Sequence, residues 1–254
     1  MTDLKTHADR LRELHHGPML VLPNAWDAAT ARLVVEAGFP VVATSSAAVA
    51  DSLGFGDGEA APWAEMFAAA ARIARAVPVP VTVDAEAGYG LEPPELVDRL
   101  LEAGAVGCNL EDTDHRAGGG LVDAAAQADR LAQVRAAADA AGVPVVVNAR
   151  IDVFLPSSGI PEPDRLAEAI RRGRLYREAG ADCVYPIGAS SGHDLGRLVA
   201  EVPAPVNGNT TDALDLEALR ALGVARVSYG PRFYRQGLAA MRDALRGLQP
   251  AGGA

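Results

Sequence analysis

The sequence predicts an α/β fold, a (β/α)₈ TIM barrel with one helix ahead of it, and three observations carry that expectation. Eight short apolar runs alternate with Ala/Leu/Arg/Glu-rich segments of helical spacing. The helical segments repeatedly close on one phrase, EAGF or EAGA, with the relatives DAAGV and ALGV. Polar residues gather at the ends of the apolar runs, while most starts are Val, Pro or Gly, which marks one end of a barrel as a site. A length of 254 residues suits eight βα units and a leading helix. A doubly wound open sheet is the alternative, and the lack of G-x-G-x-x-G after the first run counts against it.

In chain order, residues 1–16 (MTDLKTHADRLRELHH) read as a charged helix without the apolar segment of a secretory leader. The strands are MLVLPN (19–24), VVATS (41–45), VTVDAE (81–86), GCNLED (107–112), VVVNAR (145–150), CVYPI (183–187), PVNGN (205–209) and RVSYG (226–230). Between them lie segments such as DAATARLVVEAG, PPELVDRLLEAG and EPDRLAEAIRRGRLYREAG, ending on the Gly that helix C-termini favour. The whole chain, 1–254, reads as one barrel domain with a flexible tail over 248–254.

A net charge of −10, a pI near 5.0 and the lack of any basic run argue against nucleic acid or an anionic membrane as partner. They leave room for a small anionic substrate held by a metal. No apolar stretch approaches the roughly 18–20 residues that span a bilayer, so a cytoplasmic enzyme is expected. Cys108 and Cys183 lie inside apolar runs without C-x-x-C spacing and are expected as buried, reduced thiols.

The strand ends present Asn24, Ser45, Asp84 with Glu86, Glu111 with Asp112, Asn148 with Arg150, Tyr185, Asn207 with Asn209, and Ser228 with Tyr229. Any single Asn or Ser here could belong to a polar layer inside the barrel. The acids are different. Side chains alternate along a strand, so Asp84 and Glu86 are expected on one side, roughly 6–7 Å apart along the chain. With Glu111, and Asp57 from the loop after the second strand, they place several carboxylates at one mouth, where unpaired burial is very costly. A hard divalent ion such as Mg²⁺, with Mn²⁺ as a substitute, relieves the repulsion. Arg150 faces the acids and can either neutralise them or hold a substrate carboxylate in two-point contact. A metal opposite an arginine describes a site for a small acid with a carboxylate and a neighbouring oxygen, such as a 2-oxo acid.

Five ordered motifs then resemble a known family: PNAWD (23–27), ATSSAAVADSLGFGDGE (43–59), VDAEAGYG (83–90), NLEDT (109–113) and NARID (148–152). Together they resemble the isocitrate lyase/phosphoenolpyruvate mutase superfamily, from about residue 15 to 235, and in particular its short bacterial members. The resemblance implies a (β/α)₈ barrel, Mg²⁺, and C–C or P–C chemistry through an enolate of pyruvate-like form. It also implies paired subunits that exchange the eighth helix, commonly as tetramers. Carried over, Asp84 is the direct metal ligand, and Asp57, Glu86 and Glu111 hold the metal through water. Ser45 and the backbone amides of Ser46 and Ala47 bind the 2-oxo acid, Arg150 binds its other end, and Trp26 walls the pocket. Asn24, Asn207 and Asn209 complete the expected substrate-binding set.

The departures matter as much. Glu86 stands where many members have Asp. The loop after the fourth strand reads DTDHRAGGGLVD (112–123), without the Lys and Cys of a K-K-C-G-H type loop, and alternation turns Cys108 outward. True isocitrate lyase activity is therefore disfavoured, and the mutase pattern is missing too. Gly118 to Gly120 suit a mobile lid, on which His115 or Arg116 could supply a proton or a charge. The expected activity is a Mg²⁺-dependent lyase or decarboxylase of a small 2-oxo or 2-hydroxy dicarboxylic acid such as oxaloacetate, with Tyr185, His115 or water as proton source. P–C chemistry on a phosphonate and a barrel that binds oxo acids without turnover are the alternatives.

Overall fold

The computed structural model describes residues 3–248. Helix α1 (Leu4–Leu14) precedes the strands β1 (Leu20–Leu22), β2 (Asn24–Ala25), β3 (Val42–Thr44), β4 (Val81–Asp84), β5 (Gly107–Glu111), β6 (Val146–Ile151), β7 (Cys183–Pro186), β8 (Asn207–Asn209) and β9 (Arg226–Ser228). The crossovers carry α2 (Ala28–Glu36), α3 (Ser46–Ser52), α4 (Trp63–Ala76), α5 (Pro93–Glu102), α6 (Ala124–Ala140), α7 (Glu162–Glu178), α8 (Gly192–Glu201) and α9 (Leu216–Ala221), and α10 (Arg232–Arg246) follows β9. Each of the eight apolar runs becomes a strand, with two corrections. MLVLPN is split at Pro23, which has no N–H to donate to a ladder. VTVDAE leaves the sheet after Asp84, not Glu86. The leading helix spans 4–14 and stops short of residue 16, while residues 1–2 of that expected helix and 249–254 of the expected tail lie outside the described residues.

Every strand pairing is parallel, in the orders β2-β3-β4-β5-β6-β7 and β1-β9-β8. The run 20–25 belongs to both sheets, since β1 pairs with β9 and β2 with β3. On the opposite side an isolated parallel bridge joins Val184 to Val206. The two sheets therefore form one ring, with the helices outside it.

Local chemistry explains the boundaries. Asp27 caps α2 through a reciprocal box with Thr30. Pro93 opens α5, where its missing N–H costs nothing. The EAG phrase stops α7 at Gly180, whose φ of 102° only glycine adopts easily.

Two apolar clusters hold the molecule. The larger lies between the sheet and its helices and includes Cys108, as alternation predicts. The smaller plugs the barrel floor: Ala8 and Leu11 of α1 pack on Leu20, Leu22, Val41, Ala43, Val106 and Val146. Contact is so close that a Cβ on Gly107 would stand 2.7 Å from Leu11 Cδ2. Leu11 is fully buried, so truncation to Ala should cost about 2–5 kcal/mol. Asp182 fixes the plug, accepting from Arg12 Nε of α1 at 2.9 Å and from the Val147 amide at 2.8 Å, with Arg135 of α6 on the same carboxylate. Both cysteines are free and buried. No described helix is long and apolar enough to cross a membrane.

Candidate active site

Parallel register builds the mouth. Asp84 aligns with Asn109, Asn109 with Asn148, and Glu111 with Arg150, so alternate residues of β4, β5 and β6 point into the barrel in layers. Asp84 is held by three donors. Its Oδ2 accepts from the Ser46 amide at 3.1 Å and the Ser46 hydroxyl at 2.8 Å, and its Oδ1 from Asn109 Nδ2 at 3.3 Å. The Ser46 hydroxyl also lies 3.4 Å from Asp57 Oδ1, which brings that exposed loop acid to the same corner.

Glu86 reaches the site by a route that alternation does not describe. The chain has left the sheet, and Glu86 sits in left-handed backbone with φ 48°. Its carboxylate, 2% exposed, accepts from the Glu59 amide and from Tyr89 Oη, the latter at 2.9 Å. Burial, helped by the charges of Asp84 and Asp57, pushes it up to about 7 in spite of these donors.

Glu111 lies between His115 of the lid and Arg150. Burial raises Glu111 to about 7, and the hydrogen bond to Glu111 raises His115 above its usual value. Arg150 forks onto Asp152, with Nε 2.7 Å from Oδ1 and Nη2 2.8 Å from Oδ2. Burial works against its charge, but Glu111, Asp152 and Asp84 outweigh burial and keep its pKa above the ordinary value. Thr113 donates to Asp152, and the Asp152 amide donates to Asp112, which Arg172 and Tyr176 hold from α7 at 2.9 and 2.7 Å. The arginine fork is thus anchored through two buried carboxylates to a helix outside the barrel.

The lid lies down on this mouth. Arg116 Nη2 donates to the Tyr89 carbonyl at 3.2 Å, crossing Gly90 so closely that any Cβ there would overlap the guanidinium. A cavity of about 260 Å³ remains under the lid, lined by Glu111, Thr113, His115, Arg116, Gln127 and Arg130 among others.

The sequence profile of the family described as phosphoenolpyruvate phosphomutase matches residues 11–249. The chain belongs to the isocitrate lyase/phosphoenolpyruvate mutase superfamily. An uncharacterised protein of Mycobacterium tuberculosis is 34% identical over 93% of this chain and 87% of its own. A structure from Burkholderia cenocepacia J2315, provisionally named a phosphonomutase, superposes with TM-score 0.86 at 40% identity over 94% of this chain and 99% of that one. Oxaloacetate acetylhydrolase in complex with 3,3-difluorooxalacetate superposes with TM-score 0.86 at 25% identity, over 98% and 88% of the two chains.

Among superfamily features expected here, Asp84, Glu86, Glu111, Asp57, His115 and Arg150 come together at one mouth. Other expected residues are committed elsewhere. The Ser46 amide already serves Asp84, and the Ser45 hydroxyl caps α3 by accepting from the Ala48 amide at 3.5 Å, which leaves the Ala47 amide of the expected trio. Asn24 stitches the barrel, donating to the Thr44 carbonyl at 2.7 Å and accepting from the Tyr229 amide at 2.8 Å. Asn207 is fully buried among Asn148, the Gly208 carbonyl and Ser228, a layer beneath the mouth. Tyr185 donates to Asn209 at 2.8 Å. The Trp26 ring packs edge-on against Tyr234 of α10, with centroids 5.2 Å apart. Sequence reasoning missed Asp152, which alternation from Arg150 places on the same side, and Glu59 and Tyr89, which only the turn geometry brings to Glu86.

The groups around Asp84 offer carboxylate oxygen, a hard donor that suits Mg²⁺, which takes one or two carboxylates and keeps several waters.

Proposed function

We propose that this protein is a Mg²⁺-dependent lyase that breaks a C–C bond of a small 2-oxo or 2-hydroxy dicarboxylic acid, with oxaloacetate as the simplest substrate. The observation that carries this reading is that the Arg150 fork, with Glu111 on it, shares one barrel mouth with the Asp84 corner. Asp84 would hold the ion, and Glu86, Glu111 and Asp57 would orient its waters. When bound, the ion supplies positive charge against the 2-oxo oxygen, where the electron pair of the broken bond collects. Arg150 orients the departing carboxylate, and the anchoring of Arg150 by Asp152 fixes that direction before substrate arrives. His115, hydrogen-bonded to Glu111 on the lid, is the group we assign to protonate the enolate carbon. Neither cysteine can do so, because burial pushes both thiols up to about 12.

The structure provisionally named a phosphonomutase supports a second reading, P–C cleavage at the same site. Charge favours the first. The mouth collects Asp84, Glu86, Glu111, Asp57 and Asp152, and Arg150 is already shared between two of them. A departing monoanionic carboxylate adds less repulsion than a phosphoryl dianion. With Mg²⁺ and a panel of oxaloacetate, methylisocitrate, other 2-hydroxy diacids and phosphonopyruvate, pyruvate from oxaloacetate that is lost with EDTA and in Asp84→Ala supports C–C cleavage. Phosphate release from phosphonopyruvate supports the second reading, and binding without any product supports a non-catalytic barrel.

The same proposal includes a second copy of the chain. α10 buries none of its residues, and Phe233, Leu238, Met241 and Leu245 line it at 37–61% exposure. An apolar stripe of this kind suits exchange between paired subunits and assembly as a dimer of dimers.

A further inference from the structure

The barrel floor holds a cation that the proposed chemistry does not use. Arg226, the first residue of β9, is the largest fully buried side chain and is 1% exposed. Among the described residues no carboxylate lies within ion-pair distance of it, and its Nε has no hydrogen-bond partner. A buried guanidinium without an acid is costly, so its neighbours need an account.

Those neighbours are both acceptors. His15 uses Nδ1 on the Leu11 carbonyl at 2.8 Å, so that nitrogen carries the hydrogen and the Nε2 lone pair faces Arg226 Nη1 at 3.4 Å. Asn109 Oδ1 faces Arg226 Nη2 at 3.1 Å and also accepts from Asn148 Nδ2 at 2.8 Å. A guanidinium can only donate. The Asn109 amide is thereby fixed in one of its two orientations, with oxygen down toward Arg226 and Nδ2 up toward Asp84 Oδ1 at 3.3 Å. The column is matched in polarity: a donor-only group at its foot, an amide that must point one way, and an acceptor-only carboxylate at its head.

We propose that Arg226 is a positioning residue for the divalent-cation site: it locks the Asn109 amide so that Asp84 is held aimed at the ion. This rests on the Mg²⁺ reading above. Side chains that orient a metal ligand through hydrogen bonds commonly change metal affinity about 10–100-fold when removed. Arg226 also places a guanidinium beneath a mouth of five carboxylates; burial pulls its pKa down, and the charge of Asp84 is among those that oppose burial.

Mn²⁺ binding to the metal-free full-length protein, measured by calorimetry or by EPR of the free ion, tests this without any assay of turnover. Wild type should bind one Mn²⁺, and Asp84→Asn should abolish binding. Arg226→Met should weaken Mn²⁺ by about tenfold or more, while Arg226→Lys, which keeps a donor-only cation, should stay within about threefold of wild type. Asn109→Leu should show the loss of the Met variant, and the double variant should lose no more than either single one. Should Arg226→Met fail to fold, the Lys and Asn109→Leu variants carry the same comparison. Wild-type affinity in Arg226→Met or Asn109→Leu, equal losses in the Met and Lys variants, or fully additive losses in the double variant would each overturn the inference and leave the metal site standing. A wild-type protein that binds no Mn²⁺, or an Asp84→Asn variant that still does, would overturn the metal reading and the inference with it.

Discussion

Replacing Glu86 by Gln should make the metal-free protein more stable, an unusual sign for a buried substitution. Burial, with Asp84 and Asp57 nearby, lifts the Glu86 carboxyl from 4.5 to about 7. A folded-state pKa raised in this way means that the folded form binds the proton more tightly than the unfolded one. The Glu86 contribution to stability is then most favourable below pH 4.5, falls as pH rises from there toward 7, and carries the whole penalty above 7. At about 1.4 kcal/mol per pH unit, the gap between 4.5 and about 7 amounts to about 3 kcal/mol. Gln removes the charge and keeps an acceptor for the Glu59 amide, so about 2 kcal/mol of gain should survive at about pH 8. For a chain of this length that is about 4–8 °C in Tm. Melts in EDTA should show that offset at about pH 8 and a gain below about 1 kcal/mol near pH 5. Added Mg²⁺ should raise the Tm of wild type at the higher pH and raise that of the variant less. Equal Tm values at about pH 8, or one offset at both pH values, would refute the assignment of Glu86 as a strained, ionisable member of the mouth.

Three further outcomes follow from the same geometry. Burial first, and Arg226 second, pull His15 down from 6.5 to about 4, so the neutral ring contributes stability that is present above pH 6.5 and is lost as pH falls toward 4. The loss is about 3 kcal/mol, and His15→Leu should flatten that limb in urea titrations across pH; an unchanged acid limb counts against a neutral, buried His15. Arg150→Ala leaves Glu111 and Asp152 unpaired and should cost about 3–5 kcal/mol in chemical denaturation, with Asp152→Ala restoring part of the loss. Additive losses in that pair would show that the fork is not the interaction that matters. Leu238→Glu with Met241→Glu should lower the mass in sedimentation analysis if α10 is covered by a second subunit, and an unchanged mass would reject that use of the helix.

How much of this was legible in the sequence depends on whether a residue lies inside a regular element. β-Branched runs punctuated by EAG put every barrel strand in place, because burial on both faces and a glycine stop leave the chain little choice. Alternation then put Asp84, Glu111 and Arg150 on the inward side, and would have added Asp152 had it been carried two residues past Arg150. The rule fails where the strand fails. Glu86 follows the end of β4 and is aimed by left-handed backbone and by Tyr89, so its presence at the mouth owes nothing to the period of two that suggested it. Asn24 and Asn207 show the converse: their place at strand ends suggested substrate binding, but depth in the barrel, which a linear pattern does not encode, decided that they bind neighbouring strands.

Arg226 escaped notice for a related reason. It stands at the start of its strand, the end that a search for strand-end chemistry passes over, and a long side chain carries its charge up into the barrel interior. A barrel that gathers acids at its mouth without metal is destabilised there, and stability must come from elsewhere. The lower layers supply it through the apolar plug of α1, the Asp182 clamp and the asparagine layer. Because Arg226 belongs to that layer and also reaches the column ending at Asp84, the part of the molecule that carries the fold is the same part that aims the metal ligand. Removing its charge should therefore weaken the floor and loosen the ion together, a coupling that a side chain serving only to fill space would not produce.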